Sequence, residues 1–363
     1  MFFTTFDLHI IRRFLAGILY LTGALIVFFI VLHYVEYIDD FFDRGATMKD
    51  VFLVYYLNYI PEIIRLTSPL AVFLSCVYLT GKLSQKLQIA ALQTSGVSLY
   101  RLMAPYLMVA VALCGFMFWF NGWVVPETNQ TVIEFEQRYL RGKQTQIDLH
   151  DVHRQSRPGS VISVGYYDRF GKVANNVSLQ DFDRGNHLIA RIDASRMIWV
   201  DTTSTWRLED ITRRTFADLD WPVITEIDFI DTMLTVFPRD FARTEREVES
   251  MTVSDAREYI ASLTRSGANN TGRTRVAYYN KFAYPLANLI VVLIGLPLAS
   301  VRRRGGQAIQ IGIGLLVSFF YLATMKVVEP FGYEETLSPA AAAWLPHLVF
   351  FILGIILIVR AKK

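Results

Sequence analysis

The chain has 363 residues, of which 53% are hydrophobic and 19% charged, with a formal net charge of +3. Soluble domains carry about 25% charged residues, so this composition excludes a wholly soluble protein. Six stretches contain no Asp, Glu, Lys or Arg: 14–32, 66–81, 102–126, 282–301, 305–325 and 336–359. About 20 apolar helical residues cross a hydrocarbon core about 30 Å thick. The sequence therefore predicts six membrane helices, with the second stretch extended through Ile63 to reach this length.

The first stretch has the features of a membrane helix rather than of a secretory signal peptide. Its 19 residues exceed the usual length of a signal-peptide core, and residues 33–36 offer no small-residue cleavage site. It is therefore counted as the first span.

A short amphipathic helix is predicted over residues 82–96, between the second and third spans. Its apolar stripe consists of Leu83, Leu87, Ile89, Ala91 and Leu92. Gly96 follows, as the left-handed residue that ends many helices. Such a helix either lies on the bilayer surface or docks against another protein. Docking is the favoured interpretation, because Lys82 and Lys86 are the only basic residues in this segment, and two lysines fit anionic lipid poorly.

Residues 127–275 are predicted to form a strand-rich insertion between the third and fourth spans. Period-2 alternation, or enrichment in β-branched and aromatic residues, marks strands at 160–167, 187–200, 205–209 and 226–229. This pattern is typical of a sandwich, a jelly roll or a partly open barrel, and it leaves the strand order open. Thr252 and Asp255 predict a capped helix near the end of the insertion.

The predicted fold class is therefore an α-helical membrane protein with six transmembrane helices and an inserted all-β, jelly-roll-like domain between helices 3 and 4. We expect three parts. Residues 1–126 hold helices 1–3 and the segment 82–96, residues 127–275 form the β domain with its short helix, and residues 276–363 hold helices 4–6.

The distribution of charge predicts the orientation of the chain in the membrane. Six spans place both termini on one side, together with 11 Lys and Arg residues, whereas the short segments 33–65 and 326–335 on the other side hold four. By the positive-inside bias, both termini are predicted to be cytoplasmic and the β domain periplasmic. The net charge thus reflects topology, and nucleic-acid binding is not expected.

The sequence also limits the classes of function. The cytoplasmic segments are short and scattered, which leaves no room for a nucleotide-hydrolysing domain. The sequence contains no GxxxxGK[ST] phosphate loop, no HExxH, no GxSxG and no cluster of Cys and His ligands. We therefore expect no catalytic residue, no metal site and no cofactor bound by this chain, and we expect any energy to come from a separate protein.

Several short motifs, in this order and topology, resemble those of the lipopolysaccharide-export permeases of the LptF/LptG (YjgP/YjgQ) family. Residues 6–12 are similar to the opening LDRYI segment of the family, and residues 92–96 to a loop that ends in ASG. The other matching motifs are KFAYPLA at 281–287, SP at 338–339 and AWLP at 343–346. The resemblance covers essentially the whole chain.

The resemblance implies a permease subunit of an ABC transporter. In that family one F-type and one G-type permease pair with a dimer of the cytoplasmic ATPase LptB, which uses ATP. Lipopolysaccharide enters from the outer leaflet of the inner membrane between the first and fifth helices. It then passes through the jelly-roll domains to LptC and LptA.

The resemblance further implies two sets of site residues in this chain. The residues expected to couple to the ATPase are Leu83, Leu87, Gln88, Ala91, Leu92 and Gly96. Those expected along the substrate path are Phe28, Leu32, Glu36, Gly312, Phe319 and Phe320.

Two positions depart from the family pattern. Gln88 stands where the coupling helix often has an acid, so its contact with an ATPase would be a neutral hydrogen bond. The segment 36–40 is acidic where G-type members can carry lysines that meet lipid phosphates. Either the partner permease supplies the cations or the head group of the substrate differs. The opening segment and the AWLP motif favour the G type over the F type.

A different class of function remains open, namely a non-transporting membrane scaffold whose exported β domain binds a periplasmic partner. Purification discriminates between the two classes. Co-isolation of an ATPase and a second permease supports transport, whereas a lone homo-oligomer supports the scaffold.

Overall fold

The structure is a computed structural model. It describes residues 4–140, 150–157, 159–168, 171–183, 185, 187–203, 205–216, 223–234, 236–238, 241, 248, 250–266, 271–301 and 306–361. Arg302, Arg303, Arg304, Lys362 and Lys363, which contribute to the charge count above, lie outside the described residues.

Six helices are long and apolar enough to cross a membrane, which confirms the predicted number of spans. They are Thr5–Asp43, Asp50–Gln85, Leu99–Glu136, Gly272–Ser300, Ile311–Tyr333 and Pro339–Arg360. The first span is one uninterrupted helix because the apolar run has no internal Pro and begins with a complete capping box. In that box the Thr4 side chain accepts from the amide of Asp7, and the Asp7 side chain accepts from the amide of Thr4.

Several spans consist of more than one helical segment, and we number the α-helices in chain order. They are α1 (Thr5–Asp43), α2 (Leu57–Gln85), α3 (Gln88–Thr94), α4 (Leu99–Trp119), α5 (Val125–Tyr139), α6 (Val253–Ser266), α7 (Gly272–Ala283), α8 (Ala287–Ser300), α9 (Gly306–Tyr333) and α10 (Pro339–Arg360). Short π-helical segments, Asp50–Tyr56 and Phe120–Val124, precede α2 and α5. A 3₁₀ turn, Tyr284–Leu286, joins α7 to α8.

The insertion contains a six-stranded antiparallel sheet in which the strands follow one another in sequence order. The strands are β1 (His150–Arg157), β2 (Ser160–Asp168), β3 (Val173–Phe182), β4 (Leu188–Val200), β5 (Thr205–Thr215) and β6 (Val223–Thr232). Each segment that the sequence predicts as extended falls on one of these strands. The sequence leaves the strand order open. In the structure, the six described strands form an antiparallel meander.

Alternation along the strands gives the sheet one apolar face. Val164, Val177, Ala194 and Ile211 are successive cross-strand neighbours, and all four belong to one buried cluster. Trp206 is completely buried in this cluster, where its indole Nε1 donates to the carbonyl of Val236 at 2.7 Å. A buried indole N–H without a partner would be costly, so this bond fixes the ring orientation.

Contacts divide the chain into two compact units. The first comprises residues 1–141, 248–256 and 272–363, and the second comprises residues 142–247 and 257–271. All six spans lie in the first unit, which we call the membrane unit, and the six strands lie in the second.

Helices α2 and α8 form the centre of the membrane unit. The apolar window of the second span is 67% buried and that of the fourth 78% buried, whereas the window of the first span is only 6% buried. Phe73 of α2 is almost fully buried and lies against Gly295 of α8 and Gly314 of α9, where the absence of side chains admits its ring. Helix α1 is thus peripheral, and most of its apolar surface is left to lipid or to another protein.

The structure differs from the single helix predicted over 82–96. Helix α2 continues through Gln85, and Leu87 then adopts a left-handed conformation with φ of 59°, so that α3 begins only at Gln88. The i, i+4 spacing of Leu83, Leu87 and Ala91 therefore does not produce one continuous stripe. Periodicity alone gives no sign of such a break, because a leucine in the left-handed region is uncommon.

Candidate functional site

One end of the spans brings together both ends of the chain, and we call it the terminal side. Arg101 at the start of α4 donates from Nη1 to Oδ1 of Asp7 at 2.9 Å. The hydroxyl of Ser84, near the end of α2, donates to the carbonyl of Ser300 at the end of α8, also at 2.9 Å. Ala361, just after α10, packs against the apolar core of the membrane unit, which also contains Ile10 of α1 and Leu99 of α4. On the terminal side, side-chain hydrogen bonds thus connect the start of α1 to α4 and the end of α2 to α8.

Helix α3 lies on the terminal side and is bounded by two left-handed residues. Leu87 precedes it, and Gly96, with φ of 88°, follows it. The amide of Val97 donates to the carbonyl of Leu92 at 2.9 Å and that of Gly96 to Gln93 at 3.0 Å, which is the Schellman pattern. The prediction that Gly96 adopts the left-handed conformation is confirmed, and the chain then turns directly into α4.

The two faces of this segment have different environments. Ile89 is only 6% exposed, and Leu83 and Leu92 are half-buried against the apolar core of the membrane unit. Leu87, Gln88 and Ala91 are exposed, and Leu87 retains 51% of its accessible surface. Four of the six expected coupling residues are thus exposed, because Gly96 is exposed as well.

Leu87, Gln88 and Ala91 are themselves uncharged, and the exposed Lys86 directly precedes them. Leu87 offers an isolated apolar side chain, the amide of Gln88 can donate and accept, and Ala91 leaves room for an approaching side chain. An exposed leucine in the left-handed region is unfavourable in two respects. Its apolar side chain remains in contact with water. Its backbone conformation costs about 1 to 3 kcal/mol. Chemically, this face is suited to contact with an apolar groove in another protein.

The residues expected along the substrate path lie on two peripheral helices. Phe28, Leu32 and Glu36 are exposed and follow each other at i, i+4 on one face of α1. Phe319 and Phe320 of α9 are 69% and 56% exposed. Both helices pack against α2. The structure therefore places these five residues on outward surfaces of the membrane unit.

The glycines of α9 have different environments, which the sequence does not reveal. Gly314 lies against Phe73, whereas a Cβ at Gly312 would meet no atom within 4 Å. Tyr321, which directly follows the two exposed phenylalanines, is buried and hydrogen-bonds Nδ1 of His347 at 2.6 Å. One face of α9 is thus fixed in the core while the other remains apolar and open.

A polar aromatic cluster lies at the other end of α1, and sequence reasoning missed it. The hydroxyl of Tyr55 donates to Oε1 of Glu136 at 2.8 Å and lies 3.2 Å from Nε2 of His33. The hydroxyl of Tyr56 lies 3.1 Å from the other ring nitrogen of His33. Tyr55 and Tyr56 end the π-helical segment before α2, and both are buried.

The described residues contain no group of three or more His, Cys, Asp or Glu that could hold a metal ion. Cys76 is buried and Cys114 half-buried, and both are free thiols within spans.

Comparison with known proteins decides the family. The sequence profile described as "Lipopolysaccharide export system permease LptF/LptG" matches residues 8–360. The chain belongs to this family.

Similar proteins include relatives that carry the LptG name. The Haemophilus influenzae "Lipopolysaccharide export system permease protein LptG" is 20% identical over 337 residues, which cover 88% of this chain and 89% of the relative. The Escherichia coli K12 protein of the same name is 19% identical over 346 residues, which cover 90% and 91%.

Membership of the LptF/LptG family agrees with the architecture. The match includes all six spans and the sheet between the third and fourth. The chain is thus a multi-pass inner-membrane permease of the lipopolysaccharide export system and a transport subunit by family. Within the family's opening segment, Asp7 pairs with Arg101, which gives that motif a structural role in this chain.

Proposed function

We propose that this chain is the G-type permease subunit of an ABC transporter that extracts lipopolysaccharide, or a related glycolipid, from the inner membrane. Its partners are an F-type permease, a dimer of the ATPase LptB, and the bridge proteins LptC and LptA, which receive the lipid. ATP is used by LptB. The family match over residues 8–360 and the two LptG relatives support this proposal.

In this proposal the terminal side faces the cytoplasm and the sheet lies in the periplasm. The support is the distribution of Lys and Arg along the sequence, with 11 in the segments assigned to the side of the termini against four in the short opposite segments. A cytoplasmic ATPase can reach α3 only in this orientation, so the coupling experiment below also tests the orientation.

The exposed, left-handed Leu87 is the observation that carries the coupling proposal. Its side chain retains 51% of its accessible surface, whereas an apolar groove of LptB would bury it. Gln88 and Ala91 lie on the same exposed face and complete the contact, and Gly96 provides the turn into α4. Leu83 and Leu92 hold this segment in place, because they pack against the core of the membrane unit.

The experiment compares Leu87→Asn with Leu8→Asn in the full chain co-expressed with its partners. Asparagine tolerates the left-handed region, so the backbone at position 87 is kept while the apolar contact is removed. Leu8 is a matched control, because it is a leucine 64% exposed at the start of α1. Burial of a leucine contributes about 1.5 to 3 kcal/mol, so Leu87→Asn is expected to weaken ATPase retention by roughly tenfold or more.

The measured quantities are the amount of LptB that co-purifies with the permease and the lipid-stimulated ATP turnover, at equal permease levels. Leu8→Asn is expected to match the wild type. Equal LptB retention by both variants would contradict coupling through Leu87. A purified homo-oligomer that lacks both LptB and a second permease would support the scaffold instead.

The proposed substrate path follows the exposed apolar faces of α1 and α9, through Phe28, Leu32, Phe319 and Phe320. Lipid chains contact such surfaces without a desolvation penalty. Gly312 leaves open space on α9. Glu36 lies at the end of this face on α1, so the cations that neutralise lipid phosphates come from the partner permease, or the head group carries fewer phosphates.

A further inference from the structure

A cavity of about 510 Å³ opens between α1, α2 and α9. Arg13 and Leu21 of α1, Leu74 and Lys82 of α2, and Ile311 of α9 are among its lining residues. Gly17 and Ser75 also line it, and a Cβ at Gly17 would clash with the Ser75 hydroxyl. The Ser75 hydroxyl donates to the carbonyl of Phe14 at 3.0 Å.

The cavity is charged at one end and apolar at the other. Consecutive spans run antiparallel, so the start of α1 and the end of α2 share the terminal side. Arg13 and Lys82 therefore lie at the same end. Leu21 and Leu74 each lie eight residues deeper along their own helices, or about 12 Å from the cations. The Lys82 ammonium lies 5.8 Å from the centre of the Tyr78 ring, over its face.

The described part of the terminal side has almost no carboxylates with which these cations could pair. Its described segments, 4–13, 82–101 and 360–361, contain a single acidic side chain, that of Asp7. Arg101 occupies both oxygens of that carboxylate. Within the described part of these segments, Asp7 and Arg101 form the salt bridge, and Arg13 and Lys82 have no such partner. An anion from outside the chain would therefore meet two cations without displacing an existing ion pair.

We propose that this cavity binds one anionic phospholipid of the leaflet on the terminal side. The phosphate lies between the Arg13 guanidinium and the Lys82 ammonium, and an acyl chain follows Leu21 and Leu74 into the membrane unit. A guanidinium and an ammonium both form charge-assisted hydrogen bonds with phosphate oxygens. A zwitterionic head group brings its own cation and gains less from this pair, so the site discriminates by head-group charge.

The cationic end of this lipid site is distinct from the proposed path of lipopolysaccharide, which begins at Phe28. Arg13 and Phe28 are 15 residues apart on one uninterrupted helix, which separates their Cα atoms by about 22 Å along the helix axis. The lipid is a bound component of the permease rather than its cargo. The inference follows from the cavity and its charges, and it does not depend on the transport proposal.

The experiment measures lipid retained by the purified full chain after reconstitution in phosphatidylcholine bilayers that contain phosphatidylglycerol. Native mass spectrometry counts the bound phosphatidylglycerol. The double variant Arg13→Gln with Lys82→Gln is expected to retain roughly thirtyfold less, because it removes two cations and each cation near a membrane surface contributes about 1 kcal/mol of attraction to anionic lipid. Arg12→Gln is the matched control, since Arg12 is an exposed neighbour of the same charge outside the cavity lining.

A second variant tests the apolar half of the site. Leu74→Trp fills the cavity and keeps both cations, and it is expected to lower phosphatidylglycerol retention as well. If Leu74→Trp lowers the thermal unfolding midpoint, Ile311→Trp replaces it as the cavity-filling variant, because Ile311 also lines the cavity. Inorganic phosphate added in excess is expected to leave the lipid bound, because it lacks the acyl chain.

Three results would overturn the inference. Equal loss with Arg12→Gln would assign the effect to general surface charge. Unchanged retention in correctly folded cavity-filling variants would place the head group outside the cavity. Displacement by inorganic phosphate would show that the acyl chain contributes nothing.

Discussion

Asp7 has two roles at the start of α1. Its carboxylate accepts from the amide of Thr4 at 2.9 Å, which completes the capping box, and it also receives the guanidinium of Arg101. One side chain therefore caps the N-terminus of α1 and also links α1 to α4. Because both oxygens are engaged, removal of this carboxylate would leave a cap unfilled and another cation on the terminal side without a partner.

Asp193 of β4 balances a pair of like charges in the sheet. Arg191 and Arg214 are direct cross-strand neighbours, an arrangement that is unfavourable by itself. Arg191 Nε donates to Oδ1 of Asp193 at 2.8 Å, and Arg214 forms an ion pair with the same carboxylate. Burial opposes ionisation of Asp193, but the hydrogen bond from Arg191 and the two positive charges outweigh it. The pKa of this carboxyl is therefore lowered.

We predict that the sheet loses stability on acidification through Asp193. A carboxyl with a lowered folded-state pKa stabilises the fold fully above its unfolded pKa of about 3.9, and this contribution disappears as the pH falls through the folded pKa. Asp193→Asn is expected to remove about 0.5 to 1 kcal/mol at neutral pH and to flatten the pH dependence below about pH 4. Amide hydrogen exchange of β4 and β5 in the full chain measures both effects.

Asp228→Asn on the exposed surface of β6 is the control for this prediction. It is expected to leave exchange in β4 and β5 unchanged. An equal effect of the two substitutions would mean that loss of negative charge, rather than the Arg191 and Arg214 pair, explains the change.

At the scale of elements, we predict that substitution by alanine has opposite effects at Gly312 and Gly314, which lie two residues apart in α9. A Cβ at Gly314 would lie 2.9 Å from Cζ of Phe73, and even closer to another atom of that ring, whereas Gly312 faces open space. Gly314→Ala is expected to destabilise the protein by about 1 to 3 kcal/mol through overpacking. Gly312→Ala is expected to be neutral or to stabilise it by up to about 1 kcal/mol, because alanine favours a helix.

Thermal unfolding of the purified chain in detergent measures this difference. Phe73→Leu combined with Gly314→Ala is expected to recover part of the loss, because the smaller side chain removes the clash. Equal unfolding midpoints for the two alanine variants would contradict close packing of α9 on α2.

The segment between α2 and α4 shows how far element-scale prediction extends. Its amphipathic character and its glycine stop are readable from the sequence, because both depend on local spacing and on the backbone freedom of glycine. The break at Leu87 is not readable, since leucine has no local preference for a left-handed conformation. Packing of Ile89 and Leu92 against the core accompanies this break and turns Leu87, Gln88 and Ala91 outward.

At the scale of the whole molecule, the proposed substrate path predicts a pattern of lipid capture. Photo-crosslinking residues at Phe28, Leu32 or Phe320 are expected to capture lipopolysaccharide in membranes that contain the complete transporter. Addition of ATP is expected to lower the yield, because the lipid is expelled from the path. Ile356 of α10 is the control, since it is apolar and 43% exposed on a different helix.

The ratio of captured lipopolysaccharide to captured phospholipid at each position is the quantity to compare. A higher ratio on α1 and α9 than at Ile356 is expected. The same ratio at all four positions would mean that these helices face bulk lipid, and the lateral path would fail.

The sequence alone determined the six spans, four of the six strands of the insertion and the family. These features depend on local properties, namely hydrophobic length, periodicity and short motifs in a fixed order. The tertiary structure decided which faces are buried, and with them the open Gly312 beside the packed Gly314, the exposed Leu87 and the His33 cluster with Tyr55 and Tyr56. It also brought Arg13 and Lys82 to one cavity, although 69 residues separate them in the chain. The physical reason is that the environment of an apolar or charged side chain in a membrane helix depends on which neighbouring helix packs against it. All six spans are strongly apolar, so the sequence of one span carries little information about which helices are its neighbours.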